Sequence, residues 1–168
     1  MQRHVRAVLA AAAATVVAGG LLAGCGGGGP DRVSARALTR QAEAVCADGQ
    51  KEADRLRNQA EPGAHGEAAA KEIDATRAVL ETQIRGLEDL RGPKSTDADL
   101  DALLGHLRAA ADGLQTLRDA AAADDLTVDE AIRANPDVVT RVNLSSAQAK
   151  DDLVALGWLT CVGVVDEG

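Results

Sequence analysis

Three cysteines, two interior histidines, a run of alternating aspartates and a serine pair are the side chains of this 168-residue chain that could do chemistry. Cys25, Cys46 and Cys161 could serve as attachment points, metal ligands or a disulfide. Asp97-Ala98-Asp99-Leu100-Asp101 opens like a calcium-binding loop. Such a loop needs glycine at its sixth position and a glutamate at its twelfth, where this chain has Ala102 and Arg108. The aspartates read instead as anions in the first turns of a helix, where the dipole favours them. His65 and His106 both lack a glutamate three residues before them, so neither builds the inward Glu-x-x-His pair of a di-metal bundle. His65 sits in a turn near Glu61 and Glu67 and reads as a solvated loop residue, while His106 borders a leucine stripe. Ser145-Ser146 has no nucleophile-elbow glycines, and no acid or histidine is placed around it as a triad. Asn143-Leu144-Ser145 is a glycosylation triplet by chance, inside a helix. No catalytic set, metal site or cofactor site emerges, and a non-enzymatic protein is expected.

Composition narrows the partners. The chain carries a formal charge of −8, with one Trp and no Phe or Tyr. It therefore has neither a phosphate-neutralising face nor stacking platforms, and nucleic acid is excluded as an expected partner. A core without large aromatics must come from Leu, Val, Ile and Ala, which suits closely approaching helices. An all-α fold follows.

The first 24 residues read as a leader. Arg3, His4 and Arg6 precede Ala7 to Ala18, a mostly apolar run too short to span a bilayer comfortably, which needs ~20 residues. Leu22-Ala23-Gly24-Cys25 resembles the lipobox of bacterial lipoprotein precursors. The resemblance implies that the Cys25 thiol receives a diacylglycerol, that residues 1–24 are cut away as a signal peptide, and that Cys25 becomes the N-terminus. It places the protein on the extracytoplasmic face of the cell membrane, anchored by lipid. Gly26 to Gly29 cannot be a nucleotide loop, because they run into Pro30 with no Gly-Lys-Ser/Thr step. Residues 25–31 are expected to be a lipidated cysteine and its tether, reaching about 20 Å when extended. Two acyl chains at ~0.8 kcal/mol per buried methylene would hold it firmly.

Residues 32–168 are expected to form the folded domain, four principal helices in an antiparallel up-down bundle with one disulfide. The first helix is predicted over residues 33–60, with Leu38, Ala42, Val45, Cys46, Gly49, Ala53 and Leu56 on its apolar side. Glu61-Pro62-Gly63 ends it. The second is predicted over 67–90, presenting Ile73, Leu80, Ile84, Leu87 and Leu90, and Gly92-Pro93 stops it. The third starts at Thr96 as N-cap and carries Leu100, Leu103, Leu104, Leu107, Ala111, Leu114 and Leu117 toward Ala123. A short helix is predicted from Thr127 to Ala134. The last begins at Asn135-Pro136, asparagine as cap and proline at the first turn, and ends near Leu156 before Gly157.

With Cys25 assigned to lipid, Cys46 and Cys161 remain as an even pair, and outside the cytoplasm such a pair is expected to be a disulfide. In simple register Cys161 would fall nearer the start of the first helix than Cys46, so the tail after Gly157 has to fold back. Trp158, just past the last helix, either packs over that disulfide or anchors a partner. The lipobox, the cysteine in the first helix, Leu87 and Leu90 before Pro93, and Ala155 to Gly157 before Cys161 together resemble small actinobacterial lipoproteins with helical-bundle domains. That resemblance implies fold and location only. The leading functional expectation is a module that presents its surface to another protein of the cell envelope. The alternative is a groove in the bundle that binds a lipid or small apolar molecule.

Overall fold

The computed structural model describes residues 32–61 and 63–161 of the chain. The leader, Cys25 and the glycine-rich tether lie outside the described residues. The described part is helical, with α1 at Ala35–Arg57, α2 at Glu67–Glu88, α3 at Asp97–Ala123, α4 at Val128–Ala134 and α5 at Pro136–Ala155. A single 3-10 turn, Lys94–Thr96, leads into α3. The one β-type pairing among the described residues is an isolated bridge between His65 and Thr127.

Local chemistry explains most of the boundaries. Ser34 opens α1 by accepting a hydrogen bond from the Ala37 N–H. Thr127 opens α4 with a reciprocal cap: its hydroxyl accepts from the Glu130 N–H, and the Glu130 carboxylate accepts from the Thr127 N–H. Two expected caps are absent as side-chain bonds. Thr96 occupies the N-cap position of α3, but its hydroxyl donates back to the Pro93 carbonyl because the preceding 3-10 turn has already put it in helical conformation. Asn135 precedes α5, but its side-chain amide donates to the Ala131 carbonyl, closing α4.

The end of α5 is closed by a glycine. Gly157 adopts φ +74°, its N–H bonds the Val154 carbonyl, and the Trp158 N–H reaches back to Leu153 at 2.9 Å. This paired closure is the Schellman arrangement, in which a left-handed glycine reverses the chain. It turns the tail over the bundle end, where Trp158 and Cys161 are each 1% exposed.

Opposing residues fix the helix directions. Gly49 faces Gln83 and Gly86 faces Val45 between α1 and α2. Arg108 pairs with Glu88 between α3 and α2, and Gly113 meets Val142 between α3 and α5. Between α1 and α2 the numbers rise along one helix as they fall along the other. The packing is not closed all round, however. α3 packs along both α2 and α5, whereas no α1 Cα comes within 8 Å of α3 or α5.

Two apolar clusters result. The first gathers Leu38, Ala42 and Cys46 of α1 with Leu87, Leu103, Leu107, Leu153, Trp158 and Cys161. The second joins Ala69, Ala70 and Ile73 to Leu117, Ala121, Ala131 and Val138, and contains no α1 residue. Each fully buried leucine stabilises by about 1.5 to 3 kcal/mol relative to exposure. The predicted apolar stripe of α1 is therefore shorter than expected. Its buried residues end at Gly49, and Ala53 and Leu56 are only half-buried, because α4 and α5 cover the second cluster and leave α1 nothing to close against.

At the other end of α1, Arg32 holds the segment leading into that helix to the α2–α3 connection. Its guanidinium bonds both Asp97 carboxylate oxygens at 2.8 and 2.9 Å and the Gly92 carbonyl at 2.8 Å. The Arg32 hydrogen bonds hold the Asp97 carboxyl below its ordinary value. Hydrogen bonds from Thr127 do the same to Glu130, first from its backbone and then from its hydroxyl. A carboxylate whose pKa is lowered by folding contributes stability that is fully present above its unfolded value and lost as pH falls through its folded one. The melting temperature should thus hold steady down to about pH 4.5 and fall below it, the ordinary carboxylate range being about 3.9 to 4.3. Melting curves of the wild type and Asp97→Asn between pH 6 and pH 2 check this: the variant starts lower and loses less.

Candidate ligand-binding groove

The gap between α1 and α5 is the most distinctive feature of the described residues. Because the distal half of α1 stands away from α3 and α5, a cavity of about 220 Å³ remains among all four long helices. Ala53, Val79, Leu80, Leu107, Leu114 and Val142 form much of its wall. Leu87, Leu153 and both cysteines bound it at the tail end, and Ala53, Thr76 and Val142 line the opposite end. None of its lining residues is charged. A second, larger cleft of about 650 Å³ shares Ala53 and Thr76 with it and is edged by Arg57, Glu61, Lys71 and Glu72. The apolar interior thus meets a polar mouth where α1 ends and α2 begins.

The disulfide is the element that bridges the gap. Cys46 and Cys161 are bonded, with their Cα atoms 5.1 Å apart. Cys46 belongs to the apolar side of α1, as its spacing predicts, and Cys161 reaches it only because the tail folds back after Gly157. Trp158 packs in the same cluster and is 1% exposed. Its indole is a core side chain in this arrangement, so a partner would reach it only after the tail undocked.

The other residues whose types could do chemistry are dispersed over the fold. His106 Nδ1 lies 2.7 Å from an Asp152 carboxylate oxygen, tying α3 to α5 at the edge of the first cluster. His65 Nδ1 lies 3.3 Å from the Asp125 carbonyl oxygen and 4.0 Å from a Glu130 oxygen. No group of three or more His, Cys, Asp or Glu that could hold a metal occurs among the described residues. Asp97 and Asp99 lie in the first turn of α3, as helix-start anions. Ser146 lines the groove from α5, whereas Ser145 does not.

Gln83 is the residue that type and spacing alone did not single out. It is the one buried polar side chain among the described residues, at 7% exposure. Its position held a signal: it lies three residues after Leu80 and four before Leu87, on the apolar face of α2. Gly49 of α1 faces it, and a Cβ there would sit 1.9 Å from Gln83 Nε2. With glycine at position 49 the carboxamide can occupy this place; a larger residue there would make it shift.

Comparison of the chain with family models, characterised proteins and solved structures returns no match.

Proposed function

We propose that this protein is a lipid-anchored, extracytoplasmic, non-enzymatic binder of a small apolar ligand. In this reading the four long helices act as an up-down bundle, held to the membrane through Cys25, and the ligand lies in the seam between α1 and α5. The observation that carries it is the uncharged, largely aliphatic cavity of about 220 Å³ shared by all four helices. Ligand sites are characteristically concave and apolar with few polar groups, and those of helical bundles lie between helices. The location rests on the lipobox. No helix among the described residues is long and apolar enough to cross a membrane.

The expectation of a surface presented to an envelope protein has less behind it. Ile132, Leu144, Val154 and Leu159 are exposed, but they are spread over α4, α5 and the tail, and Leu144 and Val154 are about 15 Å apart along α5. Scattered apolar side chains of this kind are ordinary.

Native mass spectrometry of protein purified from its own host tests the proposal. A retained small molecule, released on unfolding, is the expected result. A bare polypeptide mass, together with no uptake of an added polarity-sensitive dye, would refute it.

A further inference from the structure

We infer that Gln83 is the specificity-determining group of the groove, and that the ligand is a neutral amphiphile: an apolar body bearing one hydroxyl, carbonyl or amide that pairs with the Gln83 carboxamide. This role for Gln83 rests on the groove being a binding site, as proposed for the protein's function.

Gln83 is more than nine-tenths buried, yet its carboxamide makes no hydrogen bond within the described residues. A buried amide is costly unless paired. No buried side-chain nitrogen or oxygen is sealed away without a partner among the described residues, so the carboxamide must meet open space. The spaces it borders are the 220 Å³ groove and an outer cleft of about 550 Å³ between α1 and α2, which share Val79 and Gln83 as walls. Gln83 therefore stands at the partition between the two, its carboxamide beside Gly49 of the outer cleft, whose walls also carry Asp48, Glu52 and Arg55.

Its setting defines the ligand further. Gly49, in the middle of α1, leaves the room that the carboxamide occupies, although glycine inside a helix is unfavourable. No lysine, arginine, aspartate or glutamate lines the groove, so an ionised ligand group would be buried without a counter-charge. The matching group is neutral. A dry cavity of about 150 Å³ accepts benzene, so 220 Å³ suits a substituted ring or a short acyl chain. A site that offers a hydrogen bond discriminates against an isostere that cannot make it.

The test uses p-cresol and p-xylene, which match in shape and differ by a hydroxyl in place of a methyl. Both are titrated into the oxidised full chain, wild type, Gln83→Leu and Gln83→Met, and binding is followed by NMR. In the wild type, p-cresol should shift the Gln83 side-chain amide signals and p-xylene should leave them in place. The affinity ratio of p-cresol to p-xylene should fall roughly threefold to tenfold in both variants, the worth of one hydrogen bond. An unchanged ratio in the variants would overturn the inference while leaving the groove a binding site. So would a p-cresol titration that moves the methyl signals of Val79 and Leu80 but not the Gln83 amide, a readout that needs no variant to fold. If neither probe binds the wild type, the groove reading itself fails.

Discussion

Reduction of the Cys46–Cys161 disulfide, or replacement of both cysteines by alanine, should destabilise the domain by about 4 to 5 kcal/mol. The bond closes a loop across a sequence separation of 115 residues, and in the chain-entropy model opening a loop of that size restores this much freedom to the unfolded state. For a domain of this length the melting temperature should drop by roughly 15 °C. What remains between α1 and this end of the fold is shared packing and the Thr160–Glu43 hydrogen bond at 3.4 Å, since no α1 Cα lies within 8 Å of α5. The tail should then undock, and the emission of the single tryptophan should move to longer wavelength at temperatures where the helices persist. Calorimetry with and without reductant, paired with fluorescence, measures both effects. A loss below about 1 kcal/mol would mean that the tail and α1 are held by packing alone, contrary to the chain-entropy expectation.

Trp158→Ala should cost about 3 to 5 kcal/mol, the usual range for emptying a large aromatic site in a core. Trp158 is among the largest fully buried side chains, and it is delivered to that position by the Gly157 reversal and the bond from its N–H to Leu153. Urea unfolding followed by helix ellipticity should show a lower midpoint with an unchanged slope. Because Trp158 and Cys161 belong to one cluster, their losses should not add: removing both costs less than the sum. A variant with wild-type stability but altered binding to another protein would instead make the indole a surface anchor.

Most of the secondary structure was legible in the sequence, because each helix carried both a periodic apolar face and its own stop signal. Gly92-Pro93 and Gly157 ended α2 and α5 within two residues of the expected place. The pairing of Cys46 with Cys161 was also legible, once Cys25 was assigned elsewhere, and so was the need for the tail to fold back. Part of what escaped was set by contacts distant in sequence and part by short-range competition for side-chain donors. Ala53 and Leu56 continue the α1 stripe, but whether they are covered depends on how far α5 lies from α1, which no local pattern records. Thr96 and Asn135 are good cap types, yet each hydroxyl or amide found a nearer carbonyl in the preceding turn. Gln83 was hidden for a different reason. One polar residue on an apolar face looks like noise until the glycine opposite it is known to be its neighbour.

The Cys46–Cys161 bond also changes what a protease can achieve. Residues 46 to 161 form a covalent ring, and the connections between α1 and α2, α2 and α3, and α3 and α4 all lie within it. A single cut in any of these connections opens the ring but yields one molecule, its two pieces still joined through the disulfide. Separating the two pieces then requires a second cut or a reductant. The crosslink is thus a safeguard of the connection between helices as well as of their shape.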